Sequence, residues 1–326
     1  MNTPSFANRR TFVKSAALAA AAGAIGASPF SWAASSTKNG SRLFKMCLNP
    51  GPIGVKANQK ELLDYAIAYG YEAMTSSPKE LMNFSNSERS ELLDKMDSSG
   101  ISWGSTGLPV DFRKDEETFQ KGIIGLSGYA RTLKSFGATR MNTWIMPTHP
   151  ELPYNANMKQ HASRLRQCAR IVGDSGVKLG LEYVGPKTLM ARDRFSFVRT
   201  MVELRELISN IGESNVGLVL DSFHWFCAED TEADILALSN GDVVTVDLND
   251  ARSDLSRDEQ IDNTRELPMA TGVIDLKTFM NALVKIGYDG PVRAEPFNAS
   301  LRRLDNETAL KVNHEAMSEA FALVGK

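Results

Sequence analysis

The chain has 326 residues, 42% of them hydrophobic, which is enough to bury one large core or two modest ones. Its 37 basic and 39 acidic residues nearly cancel, and no basic stripe or block of like charge occurs. The composition therefore argues against nucleic acid or an anionic membrane as a partner. Cys47, Cys168 and Cys227 show no paired spacing, which predicts buried thiols and no disulfide framework.

The N-terminal segment differs in composition from the rest of the chain. The stretch NRRTFVK (8–14) precedes a mild Ala/Gly-rich run and a small-x-small site, SWA (31–33). This arrangement resembles a twin-arginine export signal, and its apolar part is too short to anchor the chain stably in a bilayer. We expect a signal peptide over 1–34, a linker over 35–41, and a periplasmic or secreted protein exported folded by the twin-arginine machinery. The alternative is a disordered Ala-rich tail.

From residue 42 onward, short apolar runs alternate with segments that carry apolar residues at helical spacing. The eight runs are LFKMCLN (43–49), YEAMTS (71–76), ISWGSTGLPV (101–110), RMNTWIMP (140–147), VKLGLEYV (177–184), VGLVLDSF (216–223), DVVTVDLND (242–250) and PVRAEPF (291–297). Several helical segments end in a glycine, which predicts a left-handed helix terminus. These glycines are Gly70, Gly100, Gly137, Gly176, Gly212 and Gly287.

Eight strand–helix units over about 260 residues are the size and rhythm of a TIM barrel. We therefore predict a single (β/α)8 TIM barrel over 42–326. A doubly wound open sheet is the alternative fold, but no Gly-x-Gly-x-x-Gly follows the first strand, where a dinucleotide-binding fold would carry it. In a barrel, functional side chains gather at the carboxyl ends of the strands.

Each of the last four predicted strands carries one acid near its carboxyl end. These acids are Glu182, Asp221, Asp247 and Glu295. A carboxylate among apolar neighbours is costly unless a cation or hydrogen-bond donors meet it, so four together predict a divalent metal. Taken alone, each acid could instead cap the next helix, and His224, three residues after Asp221, could be a hydrogen-bonded core histidine.

At this point the sequence resembles the sugar isomerases and epimerases of the xylose-isomerase-like barrel superfamily, which includes ketose 3-epimerases, hydroxypyruvate isomerases and inosose dehydratases. The resemblance is carried by GLVLDSFHWF (217–226), RELPMATGVIDLKTF (265–279) and IGYDGPVRAEPFN (286–298). In that family a Glu, an Asp, a His and a Glu from strands five to eight hold one divalent metal. The His three residues after the strand-six Asp contacts the substrate.

The resemblance implies that Glu182, Asp221 and Glu295 are metal ligands. It also implies that Glu182 and Glu295 act as the catalytic base and acid, while His224 binds the substrate or assists proton transfer. The seventh strand departs from the family, because Asp247 stands where His is common.

Alternation along that strand places Asp247 on the barrel interior and makes it the expected fourth ligand, with Asn249 or Asp250 less favoured. An all-oxygen site favours Mn²⁺ or Mg²⁺ over Zn²⁺. A second departure is Met269, where the family usually has Gly.

Further side chains are expected to contact the substrate. His149 and Lys187 lie in loops after strands four and five, and Trp103 and Trp144 could stack on a sugar face. Arg293 shares a face with Glu295, where it either binds an anionic group of the substrate or pairs with an acid in the barrel.

Together these features predict a metal-dependent isomerase or epimerase that abstracts a proton next to a carbonyl through an enediolate. Export favours a non-phosphorylated sugar or sugar derivative as substrate. Alternatives are a lyase or dehydratase on a keto-sugar or inosose, and a non-catalytic periplasmic sugar-binding protein. A phosphodiesterase like endonuclease IV is disfavoured, because its trinuclear zinc site is histidine-rich and the chain has four His. Homo-oligomerisation is left open.

Overall fold

The computed structural model describes residues 42–325. The predicted signal peptide (1–34) and linker (35–41) lie outside this range. Within it, parallel strands form a closed ring surrounded by helices, which confirms the predicted (β/α)8 barrel. Among the described helices, none combines the length and apolarity needed to cross a bilayer.

The barrel strands lie inside the eight predicted apolar runs. They are β1 (Lys45–Leu48), β2 (Ala73–Met74), β3 (in two parts, Ser102–Trp103 and Thr106–Gly107), β4 (Arg140–Ile145), β5 (Lys178–Tyr183), β6 (Val216–Asp221), β7 (Val243–Leu248) and β8 (Pro291–Ala294). Strand β8 pairs with β1, and the two parts of β3 pair with β2 and β4 respectively, so the ring is complete. A small antiparallel pair, Thr148–His149 with Phe195–Ser196, lies in the loops after β4 and β5.

Strand β3 is interrupted where its backbone comes very close to the neighbouring strands. A Cβ atom at Gly104 would lie 2.5 Å from the Cys47 Sγ and 3.2 Å from the Met74 carbonyl oxygen. The Gly104 amide donates to that carbonyl at 2.7 Å. Only glycine permits this approach, so the residue is fixed by packing across three strands.

Helices follow the strands and cover the outside of the barrel. They are α1 (Gln59–Ala68), α2 (Pro78–Leu81), α3 (Asn86–Ser98), α4 (Glu116–Ser135), α5 (Tyr154–Gly173), α6 (Met201–Ile211), α7 (Ser222–Ala228), α8 (Glu232–Leu236), α9 (Leu276–Lys285) and α10 (Asn306–Phe321). Short 3-10 turns occur at Lys187–Ala191, Asn240–Asp242, Arg257–Glu259, Asp262–Thr264 and Leu301–Arg303. The six predicted helix-ending glycines all have φ between 68° and 75°, as expected.

The core lies between the strands and the inner faces of the helices. Strands β6 and β7 are buried along their full length. Burying each large apolar side chain contributes about 1.5–3 kcal/mol, so this layer supplies most of the stability that supports the polar interior. The three cysteines are buried and free, as predicted.

Candidate active site

The four strand-end acids meet at the carboxyl end of the barrel. Glu182 lies on β5, Asp221 ends β6, Asp247 lies on β7, and Glu295 directly follows β8. One carboxylate oxygen from each lies within 4.8 Å of the others. Asp221 and Asp247 are fully buried, and Glu182 is 7% exposed. We call these four residues the acidic cluster.

Asp221 is both a helix cap and a member of the acidic cluster. Its Oδ1 accepts hydrogen bonds from the amides of Phe223 (2.6 Å) and His224 (3.3 Å), which begins α7. Its Oδ2 accepts from Arg265 Nη1 (2.7 Å) and Asn249 Nδ2 (3.0 Å). Asp221 therefore caps α7, as one reading of the sequence expected, and the same carboxylate faces the other three acids.

Arg265, in the loop after β7, compensates much of the acidic charge. Its Nη1 lies 2.7 Å from Asp221 Oδ2 and 3.4 Å from Glu295 Oε2, and its Nη2 donates to Asp262 Oδ1 at 2.7 Å. The side chain is 2% exposed. No role was predicted for Arg265 from the sequence, although it is the first residue of the RELPMATG stretch that carried the resemblance.

Two aromatic rings hold the Arg265 guanidinium. Its Cζ lies 5.1 Å from the ring centroids of both Phe223 and Phe297. Phe297 has φ 46°, a left-handed conformation that costs a bulky residue free energy. This strain is tolerated where Phe297 covers a buried cation.

His224 faces hydrogen-bond donors on both sides of its ring. Its Nδ1 accepts from the Gly185 amide at 3.2 Å. Nε2 lies 3.0 Å from Arg265 Nη2, itself a donor, and 3.9 Å from Glu182 Oε1. Burial lowers the pKa of His224 to about 4, which keeps the ring neutral at pH 7. Because Arg265 Nη2 also donates to Asp262 Oδ1, its two hydrogens are directed at Asp262 and His224.

The two glutamates of the cluster are held as weak acids. Burial, reinforced by the Glu295 and Asp221 carboxylates, raises the pKa of Glu182 well above its ordinary value. Burial and the Asp247 carboxylate raise the pKa of Glu295 to about 8, against the opposing effect of Arg265. The buried Glu182 Oε1 has no hydrogen-bond partner among residues 42–325. An unsatisfied buried carboxylate oxygen calls for a proton, a cation or a ligand.

Asp247 is paired with Arg293. Arg293 donates from Nε to Asp247 Oδ1 at 2.5 Å and from Nη2 to Oδ2 at 3.1 Å, and both residues are buried. Of the two roles that the sequence left open for Arg293, the structure therefore shows the pairing with an acid in the barrel.

The two residues considered as substitutes for Asp247 have other partners. Asn249 Oδ1 accepts from the Glu295 amide at 3.1 Å. Asp250 accepts from the amides of Thr271, Gly272 and Ile274. Asn249 therefore supports the acidic cluster from outside, and Asp250 anchors the loop after β7.

The acidic cluster fits a hard divalent cation. Its four carboxylates exceed the two buried arginines, Arg265 and Arg293, so ionised acids would leave an excess of negative charge. All four donors are oxygens, as Mg²⁺ and Mn²⁺ prefer. The partnerless Glu182 Oε1 points to the same conclusion.

Trp144 and Trp103 lie at opposite ends of the barrel. Trp144 is the pairing partner of Glu182 across β4 and β5 and is 42% exposed, with the Arg113 guanidinium 3.9 Å above its ring. The Trp103 indole donates to the Phe136 carbonyl at 2.7 Å. It lines a cavity with Lys45, Arg140 and other residues near the starts of strands. Only Trp144 therefore lies beside the acidic cluster.

His149 and Lys187 have structural partners in the loops. His149 Nδ1 accepts from the amides of Glu151 (3.0 Å) and Leu152 (2.8 Å), which fixes the turn after β4. Lys187 Nζ lies 2.9 Å from Glu229 and 2.8 Å from Asp258, and so joins the loops after β5, β6 and β7. The structure shows no contact between either side chain and the acidic cluster.

Residues 63–320, most of the chain, match the family described as the xylose isomerase-like TIM barrel. The chain belongs to this family. It is 27% identical over 214 residues to the inosose isomerase of Bacillus subtilis (strain 168), and the matched region covers 64% of this chain and 74% of that protein. It is also 27% identical over 146 residues to the ketose 3-epimerase of Arthrobacter globiformis, covering 45% of this chain and 43% of that protein.

A solved structure gives the same fold for this xylose isomerase-like barrel. The crystal structure of the IolI protein with a bound zinc atom superposes with a TM-score of 0.71 at 22% identity, covering 86% of this chain and 98% of that one.

Met269, the second departure noted in the sequence, has φ 68°. The backbone at Met269 thus has a conformation that favours glycine, the residue that the resemblance implies at this position.

Proposed function

We propose that this chain is a metal-dependent isomerase or epimerase of a non-phosphorylated sugar or sugar derivative. The observation that carries the proposal is the acidic cluster, in which the carboxylates of Glu182 and Glu295 lie close together beside His224 and Arg265. The inosose isomerase and ketose epimerase among the relatives support the reaction class.

Proton transfer falls to the glutamates. Glu182 lies on β5 and Glu295 directly follows β8, and both share the cluster, so a substrate carbon placed over it would lie between two carboxyl groups. One ionised carboxylate abstracts the proton next to the carbonyl, and the other carboxyl group returns a proton to the neighbouring carbon or the opposite face. The pKa of Glu295, raised to about 8, brings both of its protonation states into the physiological range, and burial raises the pKa of Glu182 well above its ordinary value.

The donors stabilise the negative charge that develops on the substrate oxygen. His224 and Arg265 both border the acidic cluster, with His224 Nε2 3.9 Å from Glu182 Oε1 and Arg265 Nη1 3.4 Å from Glu295 Oε2. A carbonyl oxygen accepting from both would be stabilised as it gains charge, because such donors act strongly in a buried site. A divalent cation held by Glu182, Asp221, Asp247 and Glu295, Mn²⁺ or Mg²⁺ in our proposal, would polarise the same oxygen.

Location remains part of the proposal. The NRRTFVK segment supports export by the twin-arginine route, and a periplasmic enzyme would meet sugars without phosphate. Fusing residues 1–41 to a reporter protein tests this directly. We expect the reporter to reach the periplasm, and we expect this export to be lost when both Arg9 and Arg10 are replaced with Lys. Retention of the unaltered fusion in the cytoplasm would contradict the proposal.

The reaction is tested by hydrogen exchange. The purified chain, loaded with Mn²⁺, is incubated with unphosphorylated ketoses and inososes in D₂O, and deuterium next to the carbonyl is followed by NMR. We expect exchange and an isomerised or epimerised product with at least one sugar. Glu182→Gln should reduce the rate about 10²–10⁴-fold, the usual contribution of general base catalysis.

The matched control is Glu307→Gln, which makes the same change at an exposed carboxylate on α10. It should leave the rate unchanged. Undiminished exchange in Glu182→Gln would remove Glu182 from the chemistry. Cation binding without exchange of any sugar would favour a binding protein over an enzyme, and loss of water from the product would favour a lyase.

A further inference from the structure

The Asp247–Arg293 pair occupies one corner of the acidic cluster. The two residues are Cα partners on neighbouring strands, and Asp247 is also paired with Asp221 on its other side. Arg293 is 4% exposed and Asp247 is fully buried. The pair is joined by two hydrogen bonds, so neither charge meets water or lacks a partner.

Arg293 is also held from the opposite wall of the barrel. With the Asn142 amide oriented to satisfy all its neighbours, it donates to Ser105 Oγ (2.6 Å) and the Thr106 carbonyl (3.0 Å). In the same orientation its oxygen accepts from Arg293 Nη2 at 3.2 Å. The guanidinium is therefore fixed by β4 as well as by β7, which gives Asp247 one defined orientation.

Asp247 retains acceptor capacity toward the cluster. A carboxylate offers about four lone-pair directions, and Arg293 uses two of them. An oxygen of Asp247 lies within 4.8 Å of oxygens from Glu182, Asp221 and Glu295. Asp247 can thus accept hydrogen bonds from Arg293 and still offer lone pairs to a cation in the cluster, while the Asp247–Arg293 pair carries no net charge.

We propose that Asp247 and Arg293 act as one neutral unit of the cation site, in which Asp247 is a ligand and Arg293 is the positioning residue that cancels its charge. The inference rests on the proposed function only in requiring a divalent cation. It predicts that cation affinity depends on the charge balance of the pair more than on Asp247 alone.

The single substitutions should shift the affinity in opposite directions. Asp247→Asn leaves the buried Arg293 charge beside the cation and should weaken binding at least about tenfold, because like charges a few ångströms apart repel by more than 1.4 kcal/mol at the effective dielectric of a protein. Arg293→Met removes a positive charge and should tighten binding by a similar factor. The double variant should bind within about threefold of wild type.

The experiment is calorimetric titration of chelator-treated, full-length protein with Mn²⁺. The four proteins of this cycle are compared with Arg293→Lys, which keeps the charge and should retain wild-type affinity while losing thermal stability. Lys285→Met, which breaks the exposed pair with Glu232, is the matched control and should change neither quantity appreciably. If Arg293→Met does not fold, the double variant and Arg293→Lys carry the test.

Distinct results separate this inference from the proposed function. A double variant as weak as Asp247→Asn would show that the Asp247 carboxylate is needed irrespective of its partner and would overturn the neutral unit. Unchanged affinity in every variant would show that the pair is remote from the cation, which would also overturn the neutral unit. A wild-type chain that binds no divalent cation would overturn the metal-dependent function and this inference with it.

Discussion

The two halves of the barrel differ in what their strand ends carry. Strands β5 to β8 bring four carboxylates to the carboxyl end, where buried arginines compensate them. Strands β1 to β4 end in uncharged residues, namely Leu48, Met74, Gly107 and Ile145. Trp144, one residue before the end of β4, gives the uncharged half an exposed aromatic surface beside Glu182.

This difference separates reactivity from recognition. Buried charge is expensive and must be arranged as a unit, so the charged half contains paired groups such as Asp221 with Arg265. The uncharged half has no such requirement and can vary its loops and aromatic residues. The charged half should therefore respond to substitution in stability and catalysis, and the uncharged half in substrate affinity.

The largest effect on stability is expected from Arg265→Met. This change leaves Asp221 and Asp262 without their buried cation and should lower the free energy of unfolding by about 3–5 kcal/mol, the cost of breaking a buried ion pair. Urea unfolding of the metal-free protein measures it. Lys285→Met, at an exposed pair, should cost about 1 kcal/mol or less. Equal small losses in both would contradict a compensating role for Arg265.

Stability of the metal-free protein should fall as pH rises between about 5 and 8. The pKa of Glu295 is raised from 4.5 to about 8 on folding, so the unfolded chain releases a proton there that the folded chain retains. Below that range both states are protonated, and above it both are ionised, so this contribution is constant.

Glu295→Gln isolates the contribution of this one carboxyl group. Unfolding in a chelating buffer across pH 5 to 8 should show a shallower decline for this variant than for wild type. Parallel curves for the two proteins would mean that folding does not raise the pKa of Glu295.

The sequence predicted the fold because hydrophobic periodicity and helix ends are local features. All eight apolar runs contain their strands, and glycines such as Gly212 end their helices as expected. The break in β3 was missed. It arises from the close approach of Gly104 to Cys47 and Met74, residues from other strands. A contact of this kind depends on the assembled ring and leaves no periodic signal.

The candidate site was predictable where a residue occupies a strand end. Glu182, Asp221 and Asp247 follow from alternation and position alone, since parallel strand ends converge. Arg265 was missed because its place is set by a long loop whose path depends on the Asp250 anchor. The roles of the acids as metal ligands stay predictions.

The smallest effect should come from the uncharged half and compares its two tryptophans, which the sequence could not distinguish. Trp144→Ala removes the exposed ring beside Glu182 and should raise KM about 3–10-fold with little change in kcat, the loss of a stacking contact worth about 1 kcal/mol. Trp103→Phe removes a hydrogen bond to Phe136 and should lower stability by about 1 kcal/mol without changing KM. Steady-state kinetics with the sugar found by deuterium exchange, together with urea unfolding, measure both. A fall in kcat alone for Trp144→Ala would show that recognition and reactivity are not divided between the halves in this way. A rise in KM for Trp103→Phe would show that recognition in the uncharged half is not confined to the carboxyl end of the barrel.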